Sequence, residues 1–304
     1  MVKHRSIPDL PHARGPCKSN GASTARLLTF VTRKLRLVGA GRIHLIFNPR
    51  LLVRAPRRTS PFSVLLNFEQ FWPSLVDISF GVLDLFRAYP VLDMSRGNMA
   101  VLHKMDVPSV VGVFPHGYMP VMEDVPRLSI EPKDIDVLFI GAASERRLSV
   151  FDHLRLHHGL DVAHVTGGVF GTLRQQLIAR AKVVLHVHQF EAHQQQAFIP
   201  LRLIYLLANR AAVVAERGSD RSMEDEWDGA IAFAPLEELA AVVRMYLEDT
   251  VMRQALAERG YDAVRQRRLS TQLMPTLEWL QSRLDQVTCE AQGQCSGQWW
   301  VARD

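Results

Sequence analysis

Cysteine is scarce in this chain. Its three cysteines, Cys17, Cys289 and Cys295, form no CxxC pair that could open a zinc site or a redox centre. Cys289 and Cys295 could bridge within a polar tail, but the pattern reads as reduced thiols in a cytoplasm rather than a disulfide-stapled scaffold. No stretch reaches the roughly 18 uninterrupted apolar residues of a membrane span. The richest runs, near Leu75 and Leu203, are broken by charged or polar side chains. The start MVKHRS is basic, yet no apolar core and small-residue cleavage site follow it, so no secretory signal is expected. Several signatures are missing as well. There is no HExxH for zinc, no GxSxG elbow for a serine nucleophile and no GxxxxGK[ST] loop for a nucleoside triphosphate.

What is present is enough apolar material for two domains: 304 residues, 47% of them hydrophobic and 22% charged. The formal net charge of +5 is unevenly distributed. Residues 1–60 hold 13 Lys and Arg against the single acid Asp9, a balance of +12; the remaining 244 residues hold 23 basic and 30 acidic residues, a balance of −7. That basic leader reads either as a solvated extension or as an arm that associates weakly with an anionic surface. Pro8, Pro11, Gly15, Pro16 and Gly21 discourage regular structure in it. Its aromatics are not interleaved with cations as a base-stacking platform requires, so no specific nucleic-acid partner is expected.

From Ile43 onward, short apolar runs alternate with segments of helical period, the pattern of an α/β protein. Strands are expected at Ile43–Phe47, Val64–Leu66, Pro90–Leu92 and Val110–Phe114, with helices at Pro73–Arg87 and Gly97–Met105. Pro115–Lys133, rich in proline and acids, reads as a linker. The second half then predicts strands at Asp136–Ile140, Val162–Val165, Val183–Val187, Ala212–Ala215 and Ala230–Phe233. Helices fall between them at Ser144–His157, Leu173–Ala181 and Gln196–Asn209. Further helices are expected at Leu236–Leu247, Val251–Arg267 and Thr271–Val287, ahead of a loose tail. Strands separated by helices in this rhythm imply parallel sheets with right-handed crossovers, covered by helices on both faces.

In such sheets ligands bind beyond the carboxyl ends of the strands, where loops and helix amino termini converge. That rule selects Gly141–Arg147, Gly167–Gly171, His186–Glu191 and Glu216–Asp220. Ser144 can cap the following helix, and Arg146 and Arg147 set two permanent cations near its positive end, which suits a phosphate or diphosphate. Both arginines also read as ordinary exposed helix residues. Gly167-Gly168-Val169-Phe170-Gly171 is not GxGxxG and follows the second strand, so it is no dinucleotide fingerprint. His186 and His188 share one face of a strand, while His153 and His157 lie one turn apart. Without a completing Cys or Asp set these histidines read as hydrogen-bonding groups, and no metal is expected.

Several segments resemble the nucleotide-sugar half of GT-B glycosyltransferases: Asp136–Gly141 with Ser144–Arg147, then Leu177–His188, Arg202–Asn209 and Ala211–Glu216. Upstream, Asn67-Phe68-Glu69-Gln70, the Tyr89–Asn98 stretch YPVLDMSRGN and Pro115-His116-Gly117-Tyr118 are similar to further stretches of these enzymes. The resemblance spans about Ile43 to Arg267. It implies an α/β fold of two Rossmann-like domains facing across a cleft. A basic leader (1–41) would precede a compressed acceptor-side domain (42–130). A nucleotide-sugar domain (131–270) would follow, then a closing helix and loose tail (271–304).

The implied activity is transfer of a sugar from a nucleoside-diphosphate donor to an unspecified acceptor, without metal or other cofactor, the nucleotide sugar being a co-substrate. Arg146, Arg147 and Arg202 would neutralise the diphosphate, aided by Gly141 and Ser144. His186 and His188 would border the sugar or phosphate, and Tyr205, Asn209 and Glu216 the nucleoside. Glu69 and His116 are the candidate catalytic groups. Related sequences commonly carry Phe-Glu-x-[VIL]-Arg before the Leu-Leu-Ala-Asn stretch; here Ile199 stands in place of that glutamate, with Glu191 as a possible substitute. The alternative is a protein that keeps the fold and binds without catalysing. The expected location is cytoplasmic, with the leader able to touch the inner face of a membrane.

Overall fold

The structure is a computed structural model and describes residues 44–47, 63–68, 80–107, 109–126, 133–166, 169–189, 201–218, 221 and 224–291. It divides into two compact units. One holds the described residues up to Met119 together with the segment from Arg265; the other holds those from Pro120 to Val264, Leu201 apart. The leader, Glu69, Glu191 and Ile199 all lie outside the described residues.

The first unit is built on four parallel strands: β1 (His44–Phe47), β2 (Ser63–Asn67), β3 (Val91–Asp93) and β4 (Val110–Val113), in that spatial order. Every residue of β2 and β3 is buried, which is why both read as short apolar runs instead of alternating ones. Helix α1 (Phe80–Ala88) places Val82, Leu83 and Phe86 against Leu65, Val91 and Leu102. Helix α2 (Arg96–Lys104) starts where the Ser95 hydroxyl accepts the Asn98 N–H at 3.0 Å, and it stops at Met105. Arg87 reaches from α1 to the carbonyls of Met105 and Asp106, which the end of α2 leaves unbonded.

The second unit carries five parallel strands: β5 (Ile135–Ile140), β6 (Val162–Val165), β7 (Ala181–His186), β8 (Val213–Glu216) and β9 (Ala232–Ala234). Their order is β6-β5-β7-β8-β9. The crossovers are α3 (Glu145–His158), α4 (Thr172–Arg180) and α5 (Leu201–Ala208). Two more helices follow the sheet, α6 (Leu239–Glu248) and α7 (Thr250–Gln266). One face of the sheet packs Val137, Phe139, Val183, Leu185 and Val214 against Phe151 and Leu154 of α3 and Leu239 and Val243 of α6. Helix α3 ends at Gly159 with φ 63°, a left-handed position suited to glycine.

The last helices, α8 (Leu269–Gln272) and α9 (Met274–Ala291), belong to the first unit. Leu269, Leu273, Leu277 and Leu280 bury themselves against Val64, Leu66, Leu92 and Phe114. Part of the stretch that reads as a linker is structured. Tyr118 pairs with Arg268, its N–H donating to Arg267 O at 2.8 Å and its carbonyl accepting from Leu269 N at 3.0 Å. Helix α9 continues through Ala291, so the first residues of the expected loose tail, 288–291, are helical, and the rest of it lies outside the described residues. Cys289, near its end, is disulfide-bonded, which corrects the expectation of three reduced thiols. No helix among the described residues is long and apolar enough to cross a membrane.

Candidate functional site

Three strand ends of the second unit, β5, β7 and β8, deliver their following residues to one place. Beyond β5, Gly141 donates to Val165 O at 3.1 Å, and the chain then turns into α3. A Cβ at Gly141 would lie 3.0 Å from Arg202 Nη1 and 3.1 Å from Phe139 Cζ, so glycine here makes room for the guanidinium that arrives from α5. Ser144 is the amino-terminal cap of α3: its Oγ accepts the Arg147 N–H and donates to Gln189 O, both at 3.3 Å.

The two arginines of the first turn are not exposed helix residues. Arg146 forms a bidentate pair with Glu216; Nη1 donates to Oε2 at 2.9 Å and Nη2 donates to Oε1. The pair is nearly closed to solvent, at 9% and 2% exposure. Arg146 also donates to His188 O at 2.9 Å, and Glu216 Oε2 accepts the His188 backbone N–H at 2.8 Å. Glu216 therefore ties β8 to α3 and to the loop after β7. Arg147, 4% exposed, donates to Val187 O at 3.0 Å and Ala142 O at 2.9 Å and lies over the Phe139 ring. Burial, then the charges of Arg202 and Arg146, bring its pKa down to about 10 against the opposing pull of Glu216.

His186 and His188 sit beside these cations with their rings edge to face, 5.4 Å apart. Burial pushes His188 down to about 4 although Glu216 pulls the other way; His186 lies well below the usual imidazole range, first by burial and then by His188, Arg202 and Arg147. Both rings are neutral at pH 7. His188 Nε2 is buried and has no hydrogen-bond partner among the described residues. Arg202 is exposed, and among the described residues it makes no hydrogen bond. The site thus holds three guanidinium groups, one carboxylate and two neutral imidazoles at the amino end of a long helix, a surplus of positive charge suited to a multiply charged anion.

Tyr205 and Asn209 face other duties. The Tyr205 hydroxyl donates to Asp124 Oδ1 at 2.5 Å while Arg174 stacks 3.9 Å from its ring centroid, and burial with the Asp124 bond raises its pKa to about 12. Asn209 accepts from Val125 N and donates to the carbonyls of Met122 and Tyr205. Its amide clamps the 122–125 segment onto α5, an anchoring role that the reading of a nucleoside contact did not anticipate. His116, in the first unit, points its Nε2 at Met94 O, 2.9 Å away.

The sequence reading missed Arg174, although it follows the Gly167–Gly171 run that had drawn attention. It also missed Glu224, fully buried after β8, whose Oε1 accepts the Gly218 N–H at 2.5 Å and whose pKa burial raises. Asp93, within the YPVLDMSRGN stretch, is fully buried at the carboxyl end of β3. Among the described residues, no three His, Cys, Asp or Glu side chains gather as a metal site would need.

Two parallel-sheet units with helices on them, and cations at the carboxyl edge of the second, define the class: an α/β protein with the GT-B fold. The similar solved structures have that fold. They include HepE from Anabaena in complex with UDP and glucose (TM-score 0.55, 14% identity, covering 87% of this chain and 84% of that one). Sucrose-phosphate synthase from Thermosynechococcus elongatus gives a TM-score of 0.53 at 12% identity, covering 88% and 82%. TarM gives 0.54 at 9% identity, with 78% of this chain covering 54% of TarM. Residues 134–278, which include the whole second sheet, match the family described as glycosyl transferase-like. Uncharacterized protein L138 of Acanthamoeba polyphaga mimivirus is 29% identical over 113 residues, 37% of this chain and 12% of that protein's length.

Proposed function

We propose that this protein is a glycosyltransferase that moves a sugar from a nucleoside-diphosphate donor, with the diphosphate held at the carboxyl edge of the second sheet. The observation that carries this reading is the convergence of Arg146, Arg147 and Arg202 beside the capped amino end of α3, within the segment that matches the glycosyl transferase-like family. Breaking the bond from the sugar to its leaving group places negative charge on the diphosphate, and fixed guanidinium groups with helix N–H groups stabilise that charge without reorganising. Arg202, exposed to solvent, makes the direct contact; Arg146 and Arg147 set the field behind it. The orphaned His188 Nε2 would take a donor sugar hydroxyl or a phosphate-bound proton. His116 is the candidate base toward the acceptor, with Glu69 as the other carboxylate of interest, and no metal or cofactor takes part.

A second reading, a binding protein that keeps the fold without the reaction, has its own support. Arg146 and Arg147 already serve protein acceptors, and Ile199 replaces the glutamate common in related sequences. Isothermal titration with uridine, guanosine and thymidine diphosphates tests the shared premise: one of them binds, and silence from all three at millimolar concentration removes both readings. Release of free nucleoside diphosphate from the matching nucleotide sugar then separates enzyme from binder. The acceptor class and any membrane association through the leader belong to the same proposal.

A further inference from the structure

Beyond the cationic site, the first unit contains a buried polar cluster at the carboxyl ends of β2, β3 and β4. Asp93 has no exposed surface. Its Oδ2 accepts from Asn67 Nδ2 at 2.6 Å and its Oδ1 accepts the Ser95 N–H at 2.9 Å. Those two bonds fold the chain back on itself at Met94, immediately before Ser95 caps α2. The Met94 carbonyl that emerges from this turn lies 2.9 Å from His116 Nε2. A carbonyl can only accept, so Nε2 carries the proton and Nδ1 holds a lone pair. That Nδ1 is buried without a partner among the described residues.

We infer that Asp93 is a positioning residue: by fixing the Met94 carbonyl it selects the Nε2–H tautomer of His116 and keeps the basic Nδ1 lone pair free for a hydroxyl of the acceptor. The catalytic use of that lone pair rests on the function proposed above; the tautomer selection does not. Desolvation supports the arrangement, since burial holds His116 below the usual imidazole range and only a neutral ring has two tautomers to choose between. An apolar residue at position 93 would have served the sheet equally well. A carboxylate under a strand end is costly unless its acceptors are used, and here Asn67, Ser95 and the Asn98 side chain all donate to it around one turn.

The test follows His116 in the isotope-labelled full chain by long-range ¹H–¹⁵N correlation, its signals assigned by comparison with His116→Gln. The parent is expected to show the Nε2–H pattern alone. Asp93→Asn keeps the Ser95 N–H bond through Oδ1 and turns Nδ2 toward the Asn67 amide, which must turn over to accept it, so the turn loosens and His116 becomes a tautomer mixture. The reciprocal exchange, Asn67→Asp with Asp93→Asn, restores a donor–acceptor pair and the single tautomer. Should Asp93→Asn fail to fold, Asn67→Ala removes one restraint and gives a partial mixture. A ring that keeps the parent pattern in every folded variant, whatever happens to melting temperature, reduces Asp93 to a structural residue and overturns the inference. On UDP-glucose as probe, Asp93→Asn is expected to lower kcat for UDP release about a hundredfold with KM nearly unchanged, the scale of a misplaced catalytic group. A parent that releases no UDP from UDP-glucose or any other donor defeats the proposed function and leaves the tautomer result standing.

Discussion

Glu216 illustrates how one residue can look like a ligand contact and serve as an internal strut. Its two oxygens take three protein N–H donors from α3 and from the loop after β7, with 2% of the side chain exposed. Glu216→Ala would strand the Arg146 guanidinium in a desolvated place. Stability should fall by about 3–5 kcal/mol, the cost of breaking a buried pair from one side, as read from urea unfolding; a loss no larger than that of an exposed salt bridge would show the pair to be solvated. Arg202 is the opposite case, an exposed cation among the described residues without a protein partner. Arg202→Ala should leave circular dichroism unchanged and weaken diphosphate binding by about tenfold to a hundredfold, the worth of one charge-assisted hydrogen bond. Equal titration curves for variant and parent would remove Arg202 from the site. Strand-end position announced Glu216 in the sequence, and the resemblance to GT-B glycosyltransferases announced Arg202. Which of them was engaged was not legible, because that depends on Arg146 of α3 and the His188 N–H after β7 lying within reach of Glu216.

At the level of elements, the strands of both sheets were readable because strands buried on both faces are uninterrupted apolar runs between turn residues. Helix α3 shows what periodicity alone misses. It buries Arg147 beside Val150, Phe151 and Leu154, so its inward face is not apolar throughout and its amphipathic pattern is weak. Its boundaries were nonetheless set by local chemistry that sequence does display, the Ser144 cap and Gly159. The backbone pairing of Tyr118 with Arg267–Leu269 was invisible, since it joins segments far apart in the chain. Gly117 is the residue that permits it: a Cβ there would stand 2.7 Å from Arg267 O and from the backbone of Leu269. Neither neighbour is a flexible side-chain end. Gly117→Ala should therefore destabilise by about 1–3 kcal/mol, the range of overpacking, and should raise amide exchange at Tyr118 and Leu269 before it does so in β5. Unchanged protection at those two amides would show that the contact relaxes freely.

Across the molecule, the two units should answer acid differently. His188 has a pKa near 4 in the folded state against 6.5 for the free side chain, and His186 is shifted in the same direction. The unfolded chain therefore binds protons that the folded second unit refuses. The associated stability is complete above about pH 6.5 and is lost as pH falls toward 4, with His188 alone contributing on the order of 3 kcal/mol. In the first unit His116 acts likewise, but Asp93 opposes it: burial raises its folded pKa to about 6 from 3.8, so its contribution is full below 3.8 and is lost as pH rises through 6. Protonation of Asp93 between pH 6 and 4 thus offsets the penalty from His116, whereas in the second unit Glu224, whose pKa burial also raises, stands against two buried imidazoles, one of them pushed down to about 4. Hydrogen exchange corrected for intrinsic rates, compared at pH 7 and 4.5, should show protection in β7 and β8 falling further than in β3. His188→Gln should flatten the pH response of the second sheet and leave that of the first unchanged. Equal losses in both sheets, or a parent-like slope in His188→Gln, would show that the buried imidazoles at the cationic site take up protons without opening it.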